Sequence, residues 1–101
     1  MTDRRTSPRH TIDILLNAFH NGLPTLCLGQ DVSEAGICLR ALQDVSATVA
    51  SALDLEFQLP GRSHVISARG NIRRRASGQL GVFFEKISEA DRAVIRAYVA
   101  A

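Results

Sequence analysis

What constrains this chain most is a repeated pattern: short stretches in which apolar and polar residues alternate, separated by turn residues about every ten positions. The clearest stretch is Leu53-Asp54-Leu55-Glu56-Phe57-Gln58-Leu59, ended by Pro60-Gly61. A period of two sends successive side chains to opposite faces of a strand, so one face can be buried and the other solvated. Ile12, Ile14, Leu16 and Ala18 alternate in the same way with Asp13, Leu15, Asn17 and Phe19, before the turn dipeptide Asn21-Gly22 and Pro24. Leu26 and Leu28 share one face of a second strand, and Ile37 and Leu39 mark a third after Gly36. A fifth runs from about His64 to Arg73 with Ile66, Ala68, Gly70 and Ile72 on one face. Gly70 inside it predicts a bulge or a bend where the sheet curls. Ala76-Ser77-Gly78 turns the chain into a sixth strand, Leu80 to Glu85. The stretch from Leu42 to Ser51 reads equally as a helical turn or an irregular loop.

The C-terminal stretch follows another period. Ser88, with Glu89 and Asp91 behind it, has the form of a helix start, with a capping hydroxyl and acids in the positive first turn. Val94, Ile95 and Tyr98 then fall at helical spacing, with Ile87 upstream and Arg92 and Arg96 on the other side. The pattern predicts one amphipathic helix laid on the sheet. Six short strands with tight turns point to a small closed barrel. A length of 101 residues fits one domain with one core.

Composition narrows the function classes. With 46% hydrophobic and 22% charged residues, disorder is not the expected state. The formal net charge of +2 is too small for a general DNA binder, whose affinity rests on many phosphate contacts. No apolar run has the length of a signal peptide or a membrane span, which predicts a cytoplasmic protein without membrane insertion. Cys27 and Cys38 lack the spacing of a redox or metal motif and read as small buried or half-buried thiols. His10, His20 and His64 are scattered, so no metal site and no cofactor is expected. Asp, Ser and His are present without a nucleophile–base pattern or a Gly-rich loop, so the chain does not read as an enzyme.

The charge that exists is unevenly placed. Arg4, Arg5 and Arg9 cluster ahead of the first strand, and Pro8 biases that segment away from helix. Guanidiniums are always charged and present planar forks of donors, which suit phosphates and flat purine faces. A second cluster, Arg73, Arg74 and Arg75, ends the fifth strand. Strict alternation would put Arg73 and Arg75 on one face and Arg74 on the other, and leaves their role open. The segment Asp31-Val32-Ser33-Glu34-Ala35-Gly36 holds an acid and a hydroxyl that can brace a turn or contact a ligand, followed by a permissive glycine.

Together these two segments resemble the signature of the PilZ domain, a bacterial receptor for cyclic di-GMP. The family pattern, RxxxR followed by (D/N)xSxxG, maps onto Arg5 and Arg9, with Arg4 in front, and onto Asp31, Ser33 and Gly36. Gly81-Val82-Phe83-Phe84 resembles the downstream glycine–aromatic stretch. One departure is the Ala/Ser-rich segment 41–52, which lacks the glycine often found ahead of the family's fourth strand. The resemblance implies an all-β fold, a six-stranded antiparallel barrel with a C-terminal α-helix. It implies a single domain over 1–101, with a flexible arginine arm at 1–10, the barrel at 11–86 and the helix at 87–100. It further implies that Arg4, Arg5, Arg9, Asp31, Ser33 and Gly36 bind cyclic di-GMP, and that the arm orders on binding and signals to an effector protein. Ligand stoichiometry and homodimerisation stay open.

Two other readings compete with this one. A PilZ-like adaptor could bind protein and no nucleotide, although such members usually lack the arginine pair or the serine. A small basic barrel could bind single-stranded nucleic acid, but that mode uses exposed aromatics as stacking platforms. Four Phe and one Tyr, mostly at core-facing positions or on the last helix, argue against it.

Overall fold

The computed structural model describes residues 8–43 and 49–100. Six strands come first: β1 (His10–His20), β2 (Leu23–Val32), β3 (Gly36–Ala41), β4 (Ala52–Gln58), β5 (Val65–Ala76) and β6 (Gln79–Ile87). One helix, α1 (Glu89–Ala100), follows. The strands close into an antiparallel barrel in the order β1-β2-β3-β6-β5-β4, completed by pairing of Ala18 in β1 with Leu55 in β4. The expected all-β barrel with a C-terminal helix is therefore the observed architecture.

Turn chemistry sets the two tight hairpins. Asn21 and Gly22 take φ of 52° and 78°, and Ser77 and Gly78 take 51° and 80°. Positive φ at both central residues matches the right-handed twist of the flanking strands. The strands send Ile12, Leu16, Leu39, Leu53, Leu55, Phe57, Ile66, Ile72, Leu80 and Phe84 into one core. On β2 the inward face carries the fully buried Cys27, while Leu26 is exposed and Leu28 half-buried. The face shared by Leu26 and Leu28 is thus the outer one. The reason lies on β1: a Cβ added at Gly29 would stand 3.0–3.2 Å from side-chain carbons of Leu16, Ile12 and Ile14, so the larger β1 residues fill the space inside β2.

Four bulges break the ladders. Asp13, with φ 51°, lies where β1 gains a residue over β2 between Thr11 and Ile14. Gln30 is extra on β2 opposite β3. The bulge expected at Gly70 occurs, with the surplus residue, Glu85, on the partner strand β6. Arg73 is extra on β5 between Ile72 and Arg74. Strand β5 consequently runs three residues past the expected end at Arg73, and the alternation expected for Arg73–Arg75 does not hold.

The helix starts as the sequence indicates. The Asp91 amide donates to Ser88 Oγ at 3.0 Å, and the Arg92 amide to the Ser88 carbonyl at 2.9 Å. Ile95 and Val99 are buried in the barrel core, with Val94, Tyr98 and Ile87 packed beside them. The Asp91 carboxylate also accepts from His64 Nε2 at 2.6 Å and from the Ser67 amide at 3.0 Å, tying the helix to β5 and the loop before it. Among the described residues no helix is long and apolar enough to cross a membrane.

Candidate ligand-binding groove

Pairing of β1 with β2 places the arginine-bearing entry to β1 beside the acid of the second motif, because Thr11 lies opposite Asp31. Arg9 Nη1 donates to Asp31 Oδ1 at 2.5 Å, with both side chains partly exposed. An ion pair of this exposure contributes about 0–1 kcal/mol, so exchange of either partner for another charged group costs little. Arg4 and Arg5 lie outside the described residues.

Asp31 and Val32 close β2, and the chain then turns through Ser33, Glu34 and Ala35 into β3. The Ser33 amide donates to the Gly36 carbonyl at 2.8 Å, and Ser33 Oγ accepts from the Ala35 amide at 3.1 Å. The latter bond uses the hydroxyl as acceptor and leaves its proton to donate elsewhere. Gly36 is required by a close approach of strands. Its φ is not positive, but a Cβ there would lie 2.1 Å from the Val82 carbonyl oxygen. Only a glycine lets β6 come this close to the turn.

The turn is strapped from the helix side as well. Arg92 Nη1 donates to the Glu34 carbonyl at 2.9 Å, while Arg96 donates to Glu34 Oε1 at 3.0 Å and to Glu89 Oε2 at 3.2 Å. These acceptors raise the Arg96 pKa, the Glu34 hydrogen bond most of all. At the base of the arm, the His10 ring lies 4.8 Å from that of Tyr98, and Arg62 stands over the same ring at 5.6 Å.

Two adjoining concavities open beside the turn. One, of about 270 Å³, is lined by Arg9, Ser33, Gly36, Arg73, Arg74 and Phe83, among others. The other, of about 530 Å³, includes Arg9, Asp13, Gln30, Asp31, Arg74 and Gln79. Gln79 Nε2 donates to Gln30 Oε1 at 3.0 Å across it. Of the residues singled out in the sequence, Arg9, Asp31, Ser33 and Gly36 are thus gathered at one place. The sequence pattern assigns no role to Arg73 and Arg74, and marks Phe83 only as part of the glycine–aromatic stretch. The missing signal is the bulge, which adds a residue to β5 and lets consecutive arginines line one groove. Unlike the buried Phe57 and Phe84, Phe83 is exposed, at 43%.

Elsewhere a shallower depression of about 790 Å³ is lined by Phe19, Asp54, Arg69 and Lys86, among others. There Arg69 pairs with Asp54 at 3.0 Å, and none of the motif residues takes part. Cys38 also lines the groove, but burial first and the Asp31 charge second raise its pKa, which makes it a poor nucleophile. Among the described residues no group of three or more His, Cys, Asp or Glu is placed to hold a metal ion.

A small closed barrel with guanidiniums, a carboxylate and a hydroxyl gathered in one open groove defines a domain suited to a polar, anionic small molecule. The chain belongs to the PilZ domain family, whose model it matches over residues 3–101. Its fold is shared by the inhibitor of motility MotI/DgrA of Bacillus subtilis, at 20% identity and a TM-score of 0.81, over 98% of this chain and 51% of that one. It is shared too by PlzA of Borreliella burgdorferi, determined in complex with c-di-GMP, at 20% identity and a TM-score of 0.71, over 96% of this chain and 41% of that one. The chain therefore spans about half the length, or less, of these two proteins. No curated protein matched it by sequence.

Proposed function

We propose that this chain is a cyclic di-GMP receptor that binds the dinucleotide between the arginine arm and the Asp31–Gly36 turn. The observation that carries this reading is the convergence of Arg9, Asp31, Ser33 and Gly36, two separate parts of the PilZ signature, on one groove. Cyclic di-GMP offers two phosphates and two guanines. Each guanine presents O6 and N7 as adjacent acceptors that match an arginine fork. A carboxylate such as Asp31 accepts from the opposite edge, N1–H and N2–H₂, which adenine lacks. Arg4, Arg5 and Arg9 take phosphates or guanine edges through charge-assisted bonds. The Ser33 hydroxyl donates its remaining proton to the ligand.

The Arg9–Asp31 pair supplies the entry step. Ligand phosphate replaces the carboxylate at Arg9, and the guanine edge replaces the guanidinium at Asp31, so neither charge is left bare. Ordering of the arm over the groove then alters the surface offered to an effector protein in the bacterial cytoplasm. The domain acts by binding and not by catalysis. Calorimetric titration with cyclic di-GMP, with GTP as the control, tests the reading: saturable heat with the first alone supports it. Absence of binding would favour the second reading, a PilZ-like adaptor that recognises protein only. The outward Leu15, Leu23 and Leu42, at 66%, 70% and 48% exposure, are what favours that alternative.

A further inference from the structure

We infer that the end of β5 and the middle of β6 complete the dinucleotide site: Arg73 and Phe83 form a flat platform for a guanine base, and Arg74, beside Arg9, holds a phosphate of the same ligand. This inference rests on the proposed cyclic di-GMP reading and adds residues that neither half of the family signature contains.

The geometry begins with the bulge. Ile72 pairs with Val82 and Arg74 with Gly81, so Arg73 is the surplus residue. In an unbroken strand two consecutive arginines would point to opposite faces, and one would enter the core. Here both line the groove that also holds Arg9, Ser33 and Gly36. Arg73 Cζ stands 4.5 Å from the centre of the Phe83 ring, over its face. A guanidinium stacked on an aromatic is a surface on which a purine can stack in turn.

The electrostatics point the same way. Among the described residues neither Arg73 nor Arg74 has a carboxylate partner, whereas Arg69 pairs with Asp54 and Arg96 with both Glu34 and Glu89. Neighbouring guanidiniums repel one another, and an external anion relieves that repulsion. Arg74 lines both concavities together with Arg9, where one phosphate can reach both. Phe83 is an exposed aromatic on the outer face of a barrel strand, a position that the core does not require.

The test is titration of the full chain with cyclic di-GMP at low and high ionic strength. Arg74→Ala is expected to weaken binding about tenfold or more at low salt, with the deficit shrinking as salt screens the charge. Phe83→Leu keeps an apolar side chain but removes the flat face, and is expected to weaken binding about tenfold regardless of salt. Phe83→Tyr should bind as the unmodified chain does, and so should Arg69→Ala, which removes the same charge from the other depression. If Arg74→Ala and Phe83→Leu both keep full affinity while Arg9→Ala loses it, this inference is overturned and the receptor reading stands. If the unmodified chain does not bind at all, the receptor reading fails and this inference fails with it.

Discussion

Two pairs of arginines flank the same turn and behave in opposite ways. On the helix side, Arg92 and Arg96 spend donors on the Glu34 carbonyl, the Glu34 carboxylate and Glu89. On the groove side, Arg73 and Arg74 have no carboxylate within reach among the described residues, and they sit side by side. Residue type and net charge are the same. What differs is whether the fold itself supplies the anion. An arginine whose anionic partners come from the chain is a strap that holds the turn in place, whereas arginines gathered with no carboxylate among the described residues form a site for an anion brought from outside. Arg9 stands between these cases, paired with Asp31 in a bond exposed enough to be exchanged.

The largest effect expected from breaking this arrangement is at Gly36, which both sides depend on. With the Val82 oxygen 2.1 Å from an added Cβ, Gly36→Ala must push β3 and β6 apart. A loss of roughly 3 kcal/mol or more in chemical denaturation is expected, since overpacking of this kind typically costs about 1–3 and here meets backbone rather than a yielding side chain. Asp31→Ala, by contrast, should strike the groove side alone. It is expected to lower cyclic di-GMP affinity roughly ten- to a hundredfold, in line with about 1.5–3 kcal/mol for a hydrogen bond to a charged group. It should also narrow the preference over cyclic di-AMP, while melting shifts little. If the unmodified chain binds both dinucleotides equally, Asp31 does not read the guanine edge.

Acid should strike the helix side first. The His64 hydrogen bond, and after it the Ser67 amide, hold the Asp91 carboxyl below its ordinary 3.8. Its folded value lies below the unfolded one, so the stabilisation is complete above about pH 3.8 and is lost as pH falls through the folded value. The unfolding free energy of the unmodified chain, measured as a function of pH, should fall in that acid range, and Asp91→Ala should be less stable at neutral pH and show a shallower fall in acid. The smallest effect belongs to a place that touches neither side. Ala50 takes φ 76° just ahead of β4. Ala50→Gly should raise stability by about 0.5–1 kcal/mol, because relief of left-handed strain exceeds the added entropy of the unfolded chain. Ligand affinity should not change.

Ala50 also shows how the sequence was legible in one respect and not in another. The sequence shows that the segment ahead of β4 lacks the family's glycine, but not that Ala50 takes a left-handed φ of 76°. Strand positions, turn dipeptides and the helix cap at Ser88 could be read because each depends on residues adjacent in sequence. The outward turn of Leu26 and Leu28 could not, because it depends on how far Leu16 and Ile12 of another strand reach under Gly29. The same limit applies to the groove. The motif residues of Asp31–Gly36 stand out at fixed spacing, whereas Arg73, Arg74 and Phe83 come together only through a bulge that exists between two strands and in neither alone.

The contrast between the two kinds of arginine is tested most directly by measuring cyclic di-GMP affinity for the unmodified chain, Arg9→Ala and Arg96→Ala in one calorimetric series. Loss of charge-assisted bonds from Arg9 should weaken binding roughly ten- to a hundredfold. Arg96→Ala removes an equal charge from the strapped side and should leave affinity within about threefold, since its donors are already engaged within the fold. Equal affinity in all three proteins, or a larger loss from Arg96→Ala than from Arg9→Ala, would contradict the account.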